Sequence, residues 1–248
     1  MIPQLNQLQR WTLLFAVLSS AFLVAAFITF PAKAVTKLSP FVYVDIDHKG
    51  HGSATSLGAG FFLTAGHVTK GAKELTIRAN EGYSFSAEIL WQNNQYDVAI
   101  IYVKDYQKFG SVPLSCAENY VGQAITITGN PQGAVFAKSW GRVSGLKETG
   151  LEERYEGMWK KLITLDIAAA PGVSGAGVIN SNGEVVGILV AGMVTDRGVF
   201  PYTFAVPAKI VCHLMGKPEA PSPTKNGADL SEAETFEVIA DFLRNLPQ

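Results

Sequence analysis

The chain runs to 248 residues, 48% hydrophobic and 17% charged, with a formal net charge of −1. That length and apolar share support one large domain or two small packed ones. A balance so near neutrality, with no basic run interleaved with aromatics, excludes an electrostatic grip on nucleic acid or anionic lipid.

The N-terminal stretch from Trp11 to Phe30, WTLLFAVLSSAFLVAAFITF, holds no charged residue. A helix of about twenty apolar residues is long enough to cross a bilayer. Arg10 precedes the run and Lys33 and Lys37 follow it, an asymmetry too weak to set an orientation. Ala32-Lys33-Ala34 has the small-x-small form of a signal-peptidase site. Residues 1–34 therefore read as a signal peptide or as an uncleaved signal anchor, with the transmembrane helix at about 11–30. The length of the run favours the anchor. Both readings export the rest of the chain: outside the cytoplasm and tethered to the membrane, or periplasmic or secreted after cleavage.

From Val35 to Ala208 short apolar or alternating runs follow one another. They include FVYVDI (41–46), GAGFFLTAG (58–66), ELTIRA (74–79), SAEILW (86–91), DVAIIYV (97–103) and AITITG (124–129). KLITLDI (161–167), GAGVIN (175–180), EVVGILVAG (184–192) and YTFAVP (202–207) continue the series. Asn130-Pro131-Gln132-Gly133 and Asn180-Ser181-Asn182-Gly183 are turn signals between them. Many short strands without a long amphipathic helix point to an all-β barrel or sandwich and against a parallel α/β sheet. After Pro207, AKIVCHLMG (208–216) reads as a short closing helix ended by Gly216. A Pro-rich linker covers 217–230, and an amphipathic C-terminal helix is expected over 231–246. Ser231 and Glu234 form its capping box, and Phe236, Ile239, Leu243 and Leu246 form its apolar stripe.

Cys116 and Cys212 lie far apart and have no zinc-like spacing. They are either one disulfide or two buried thiols. His48, His51 and His213 show no ligand spacing either, and each reads as a surface or packing residue. Gly58 and Gly60 precede no helix of the kind a nucleotide fingerprint needs. No motif requires a metal or a cofactor.

Three segments carry chemistry together. Thr64-Ala65-Gly66-His67-Val68 follows an apolar strand, Asp97 heads the run DVAIIYV, and Pro171-Gly172-Val173-Ser174-Gly175-Ala176-Gly177 is a glycine-rich loop between strands. A serine hydroxyl needs a neutral imidazole to take its proton, and a carboxylate behind the ring to fix the tautomer. Backbone N–H groups of Gly172 and Ser174 would form the oxyanion hole. The order His67, Asp97, Ser174 is that of chymotrypsin-type enzymes and differs from that of α/β-hydrolases and subtilisins.

From about Gly58 to Pro207 the sequence resembles the trypsin-like serine peptidases, and among them the HtrA/Deg branch. GAGFFLTAGHV resembles that family's histidine strand, YDVAIIYV its aspartate segment and LDIAAAPGVSGAGV its nucleophile loop. VGQAITITGNPQG and GRVSGL resemble the first strands of its second barrel, and GEVVGILVAG with YTFAVP the strands that wall its specificity pocket. The resemblance implies two six-stranded antiparallel β-barrels within a peptidase domain spanning 35–216. Barrel one would cover about 35–115 and barrel two about 116–208, with an N-terminal hydrophobic helix and short C-terminal helices outside them. It implies a serine endopeptidase acting on polypeptides, with a homo-oligomer as a further expectation. The alternative is a catalytically weak or inactive pseudoprotease serving as a protein-binding module.

The sequence also departs from the family. Val173 replaces the aspartate with which digestive members pair a newly cut N-terminus. Val190 stands where many relatives have a hydroxyl supporting the catalytic aspartate, and Gly175-Ala176 replaces the more usual Gly-Gly. About forty residues follow Pro207, so no PDZ-like domain is expected after it. Ala168, Val190, Gly192 and Tyr202 are the expected lining of the specificity pocket. Without a charge among them, they suit small or medium apolar side chains before the scissile bond. The charged stretch 147–161 reads as a solvated hairpin.

Overall fold

The computed structural model describes residues 37–132, 134–146, 161–192 and 202–216. The N-terminal segment 1–34, the linker 217–230, the C-terminal helix 231–246 and most of the charged stretch lie outside them. Among the described residues no helix is long and apolar enough to cross a membrane.

Twelve strands form two closed antiparallel barrels. Barrel one holds β1 (Phe41–Ile46), β2 (Gly50–Gly58), β3 (Phe61–Ala65), β4 (Leu75–Arg78), β5 (Ser84–Asn93) and β6 (Val98–Tyr102), in the order β1-β2-β3-β6-β5-β4. Barrel two holds β7 (Ala124–Gly129), β8 (Ala137–Gly145), β9 (Ile163–Asp166), β10 (Gly177–Asn180), β11 (Val185–Gly192) and β12 (Thr203–Pro207), in the order β10-β11-β12-β9-β8-β7. Closure leaves neither sheet with an unpaired edge. At the β1–β2 turn Asp47 takes a left-handed φ of 51°. Its Oδ1 accepts the backbone N–H groups of Glu74 and Lys73, which hold its carboxyl below the ordinary carboxylate value.

The apolar runs divide by where their faces go. In β1 Val42 and Val44 point inward and alternate with half-buried neighbours, the pattern of a strand with one covered face. In β11 nearly every residue is buried. Val186 and Leu189 join the interior of barrel two with Ile127, Leu165 and Ala205. Val185, Ile188 and Val190 join a second core that also takes in Phe62, Ile77 and Ile100 of barrel one. A strand covered on both faces reads as an unbroken apolar run.

Two strands had no such signature. β2, GHGSATSLG, consists mainly of small and polar residues, yet Ser53, Thr55 and Ser56 are buried in it. β8, AKSWGRVSG, is half-exposed along its length and carries Trp140 at 70% exposure. Resemblance marked the second half of β8, but hydrophobic periodicity marked neither strand.

The closing helix Ala208–Gly216 buries Ala208, Val211 and Met215. The connector between the barrels runs beside it. Leu114 bridges to Val185, and Ser115 N–H donates to the Val185 carbonyl. A disulfide then joins Cys116 of the connector to Cys212 of the helix, with the Cα atoms 5.9 Å apart. Glu118 adds an exposed ion pair with Lys209. The bond closes a loop with a sequence separation of 96, and crosslinks of such long loops typically contribute about 2–4 kcal/mol. Cys212→Ser is expected to lower the unfolding free energy by that amount in urea titrations. Reductant should bring the parent's midpoint down to that of the variant.

Candidate functional site

The site forms where barrel one presents β2 and the end of β3 to the loop before β10. His67 lies on the short helix Gly66–Thr69, directly after β3. Asp97 sits immediately before β6, the strand paired with β3 in a register that sets Ala65 against Val98. That pairing brings the two residues together across 30 positions of sequence. His67 Nδ1 is 2.7 Å from Asp97 Oδ2, and His67 N–H donates to Asp97 Oδ1 at 2.6 Å. His67 thus engages both carboxylate oxygens. The Asp97 side chain is 2% exposed and the His67 side chain 38% exposed. The carboxylate is sealed off while the ring reaches solvent. Gly66 permits the approach, since a Cβ there would lie 3.1 Å from Asp97 Oδ1 and 3.2 Å from the Val98 nitrogen.

Ser174 is half-buried on the loop between Ala168 and Gly177. Its carbonyl accepts the Ser53 N–H at 2.8 Å. A Cβ on Gly52 would lie 2.7 Å from Val68 Cγ1 and 3.2 Å from that same carbonyl oxygen. The segment carrying His67 and the loop carrying Ser174 therefore meet at Gly52. The next residue, Gly175, fits only as glycine. Its φ is 88°, and a Cβ would fall 2.1 Å from the Ser53 carbonyl oxygen and 2.2 Å from Thr64 Oγ1. Val173 is buried in the core of barrel two, the fate of an apolar residue at that position. Gly172 also has a left-handed φ, 97°. Among the described residues, neither the Gly172 nor the Ser174 N–H donates to a protein acceptor.

Sequence patterns assign no role to Ser53 or Thr55, read His51 as a surface or packing residue and Asn130 as a turn residue, yet these side chains hold the loop. Ser53 is fully buried on β2. Its hydroxyl donates to the Gly172 carbonyl at 2.9 Å and accepts from Asn130 N and Asn130 Nδ2, each at 3.0 Å. Its own carbonyl accepts from Thr64 Oγ1 at 2.7 Å. Two residues on, Thr55 Oγ1 accepts the Gly177 N–H at 3.0 Å. Two residues before, His51 Nε2 meets the Asn130 carbonyl at 2.9 Å. One face of β2 is thus a polar row, His51, Ser53 and Thr55, joined entirely to barrel two. The only sequence signal for it was the alternation of polar with small residues in His51-Gly52-Ser53-Ala54-Thr55.

The four residues expected to line a specificity pocket lie in different settings. Ala168 is exposed and lines a groove of about 570 Å³ with Asp166, Trp140 and Arg142. Val190, Gly192 and Tyr202 do not line it. Val190 is buried in β11, while Gly192 and Tyr202 are exposed. The stretch 193–201 between them lies outside the described residues. No group of three His, Cys, Asp or Glu side chains suited to a metal ion occurs among the described residues.

A family model, the trypsin-like peptidase domain, matches residues 52–188, more than half of the chain. The chain belongs to this family. The periplasmic pH-dependent serine endoprotease DegQ of Escherichia coli is 29% identical over 162 residues, 65% of this chain and 35% of its own. The periplasmic serine endoprotease DegP of Salmonella typhimurium is 29% identical over 167 residues, 66% of this chain and 34% of its own. The chain thus spans about a third of the length of these trypsin-like relatives. A structure of the HtrA-type protease AlgW with a tripeptide superposes with a TM-score of 0.63 at 25% identity, over 74% of this chain and 62% of that one.

Loss of the Ser53 hydroxyl would strand Asn130 donors in a buried site, a situation that costs about 1–3 kcal/mol. Ser53→Ala is expected to destabilise the protein by this amount in urea titrations. A parental midpoint would show that the seam does not depend on this hydroxyl.

Proposed function

We propose that the chain is a serine endopeptidase in which His67, Asp97 and Ser174 form the catalytic triad. The observation that carries this reading is the 2.7 Å contact between His67 Nδ1 and Asp97 Oδ2. A carboxylate can only accept, so Nδ1 carries the hydrogen and Nε2 is left as the base. Ser174 Oγ attacks the scissile carbonyl carbon while its proton passes to Nε2. The negative oxygen of the tetrahedral intermediate is met by the N–H groups of Gly172 and Ser174, each such donor contributing about 3–4 kcal/mol of transition-state stabilisation. The carbon–nitrogen bond then breaks, and Nε2 returns the proton to the leaving amine. Water repeats the sequence on the acyl-enzyme and frees Ser174. Asp97 holds the ring and stabilises its cationic form throughout.

The pocket formed by Ala168, Val190, Gly192 and Tyr202 has no charge and selects small or medium apolar side chains. The domain works outside the cytoplasm, held by the segment at about 11–30 or freed by its removal. The Cys116–Cys212 bond and the periplasmic names of DegP and DegQ support that compartment. The competing reading, a binding module on the same fold, draws on one fact: Ser174 Oγ donates no hydrogen bond among the described residues. Such bonds often tighten only when substrate arrives.

A fluorophosphonate probe tests the triad. The parent is expected to label and Ser174→Ala to lose labelling entirely. Asp97→Asn should lower kcat by about 10⁴. A folded parent that never labels would sink the enzyme and leave the binding module. With peptides varied at the residue before the cleaved bond, Ala and Val should be preferred, and rapid cleavage after Lys or Arg would refute the uncharged pocket.

A further inference from the structure

His51 lies outside the triad yet touches the loop on which Gly172 sits. Its Nε2 is 2.9 Å from the Asn130 carbonyl oxygen. A carbonyl only accepts, so this nitrogen carries a hydrogen and donates it. The same nitrogen fills the space beside Gly172, where a Cβ would lie 2.2 Å from it. The ring has little freedom to leave. It stacks on Tyr43 with centroids 4.8 Å apart and planes 5° from parallel. Arg78 lies over Tyr43 in turn, 4.0 Å from the ring centre. In the sheet Tyr43 pairs with Ser53 on one flank and with Arg78 on the other. Arg78, Tyr43 and His51 therefore lie in contact in series across β4, β1 and β2, and the imidazole at the end of that series also touches barrel two.

The bond to Asn130 has an effect two residues further on. Gln132 N–H donates to the Pro171 carbonyl at 3.0 Å. That carbonyl shares a peptide plane with the Gly172 N–H, and no peptide bond among the described residues is cis. In a trans peptide the N–H points opposite to the C=O, so whatever holds the Pro171 oxygen aims the Gly172 N–H. Ser53 anchors the far side of Gly172 through its carbonyl. His51 and Gln132 anchor the near side.

We infer that His51 is a positioning residue for the oxyanion hole, acting through the relay His51–Asn130–Gln132–Pro171 to aim the Gly172 N–H. This rests on the reading of Gly172 as an oxyanion donor. Two variants of the full chain separate the donor from the stack. His51→Phe keeps a flat ring against Tyr43 and loses the N–H, whereas His51→Gln gives up the ring and keeps a donor.

Displacements of about 1 Å at a reacting centre can cost up to about a hundredfold in rate. His51→Phe is expected to lower kcat on a peptide substrate by about tenfold or more, with KM and melting temperature close to parental. His51→Gln should recover most of the loss. Parental kcat in His51→Phe, or equal impairment of both variants, would overturn the relay. So would a change confined to the melting temperature.

Amide hydrogen exchange across 130–132 and 170–174 gives a readout independent of activity. Faster exchange in His51→Phe than in His51→Gln supports the relay, and equal exchange refutes it. A parent that fails to label while His51→Phe exchanges faster would refute the endopeptidase and leave the relay standing.

Discussion

Everything at the site depends on how closely two backbones can approach where β2 meets the loop that carries Ser174. A hydrophobic contact would leave the loop free to slide, because dispersion has no direction. Here the contact is polar and buried. The Ser53 hydroxyl donates once and accepts twice, and its main-chain N–H is also engaged across the interface. A buried polar network of this kind is stabilising only when complete, since any missing partner leaves an unsatisfied group in a low-dielectric setting. The demand for completeness fixes one register of barrel two against barrel one. The 2.1 Å separation between a notional Gly175 Cβ and the Ser53 oxygen expresses the same constraint in steric form.

The division of labour between the barrels follows. Barrel one supplies His67 and Asp97 from the ends of two paired strands, so their approach follows from that pairing. Barrel two supplies Ser174 from a loop, and a loop needs external support. β2 gives that support from a strand, the more rigid partner. The His67–Asp97 contact is thus built within one barrel, while the position of Ser174 is set between two.

The strands with one or two apolar faces were legible in the sequence because burial of those faces demands apolar residues there. β1 and β7 have the boundaries that their patterns predicted. β2 was not legible, because its buried face touches polar backbone and so requires hydroxyls and an imidazole where periodicity looks for aliphatic side chains. The pairing of His67 with Asp97 was legible from the order of motifs. The supporting Ser53, Asn130 and His51 were not, since their roles exist only once residues 77 to 119 positions apart are brought together. The cysteines illustrate the same limit. Composition left a bond and two thiols equally open, and only the packing of the closing helix beside the connector places the pair within bonding distance.

Asp97 holds a left-handed φ of 56°. For an L-residue other than glycine that conformation typically costs about 1–2 kcal/mol, a cost that aspartate and asparagine tolerate better than most. An aspartate at this position joins that tolerance to a carboxylate that holds both the main-chain N–H and the ring of His67.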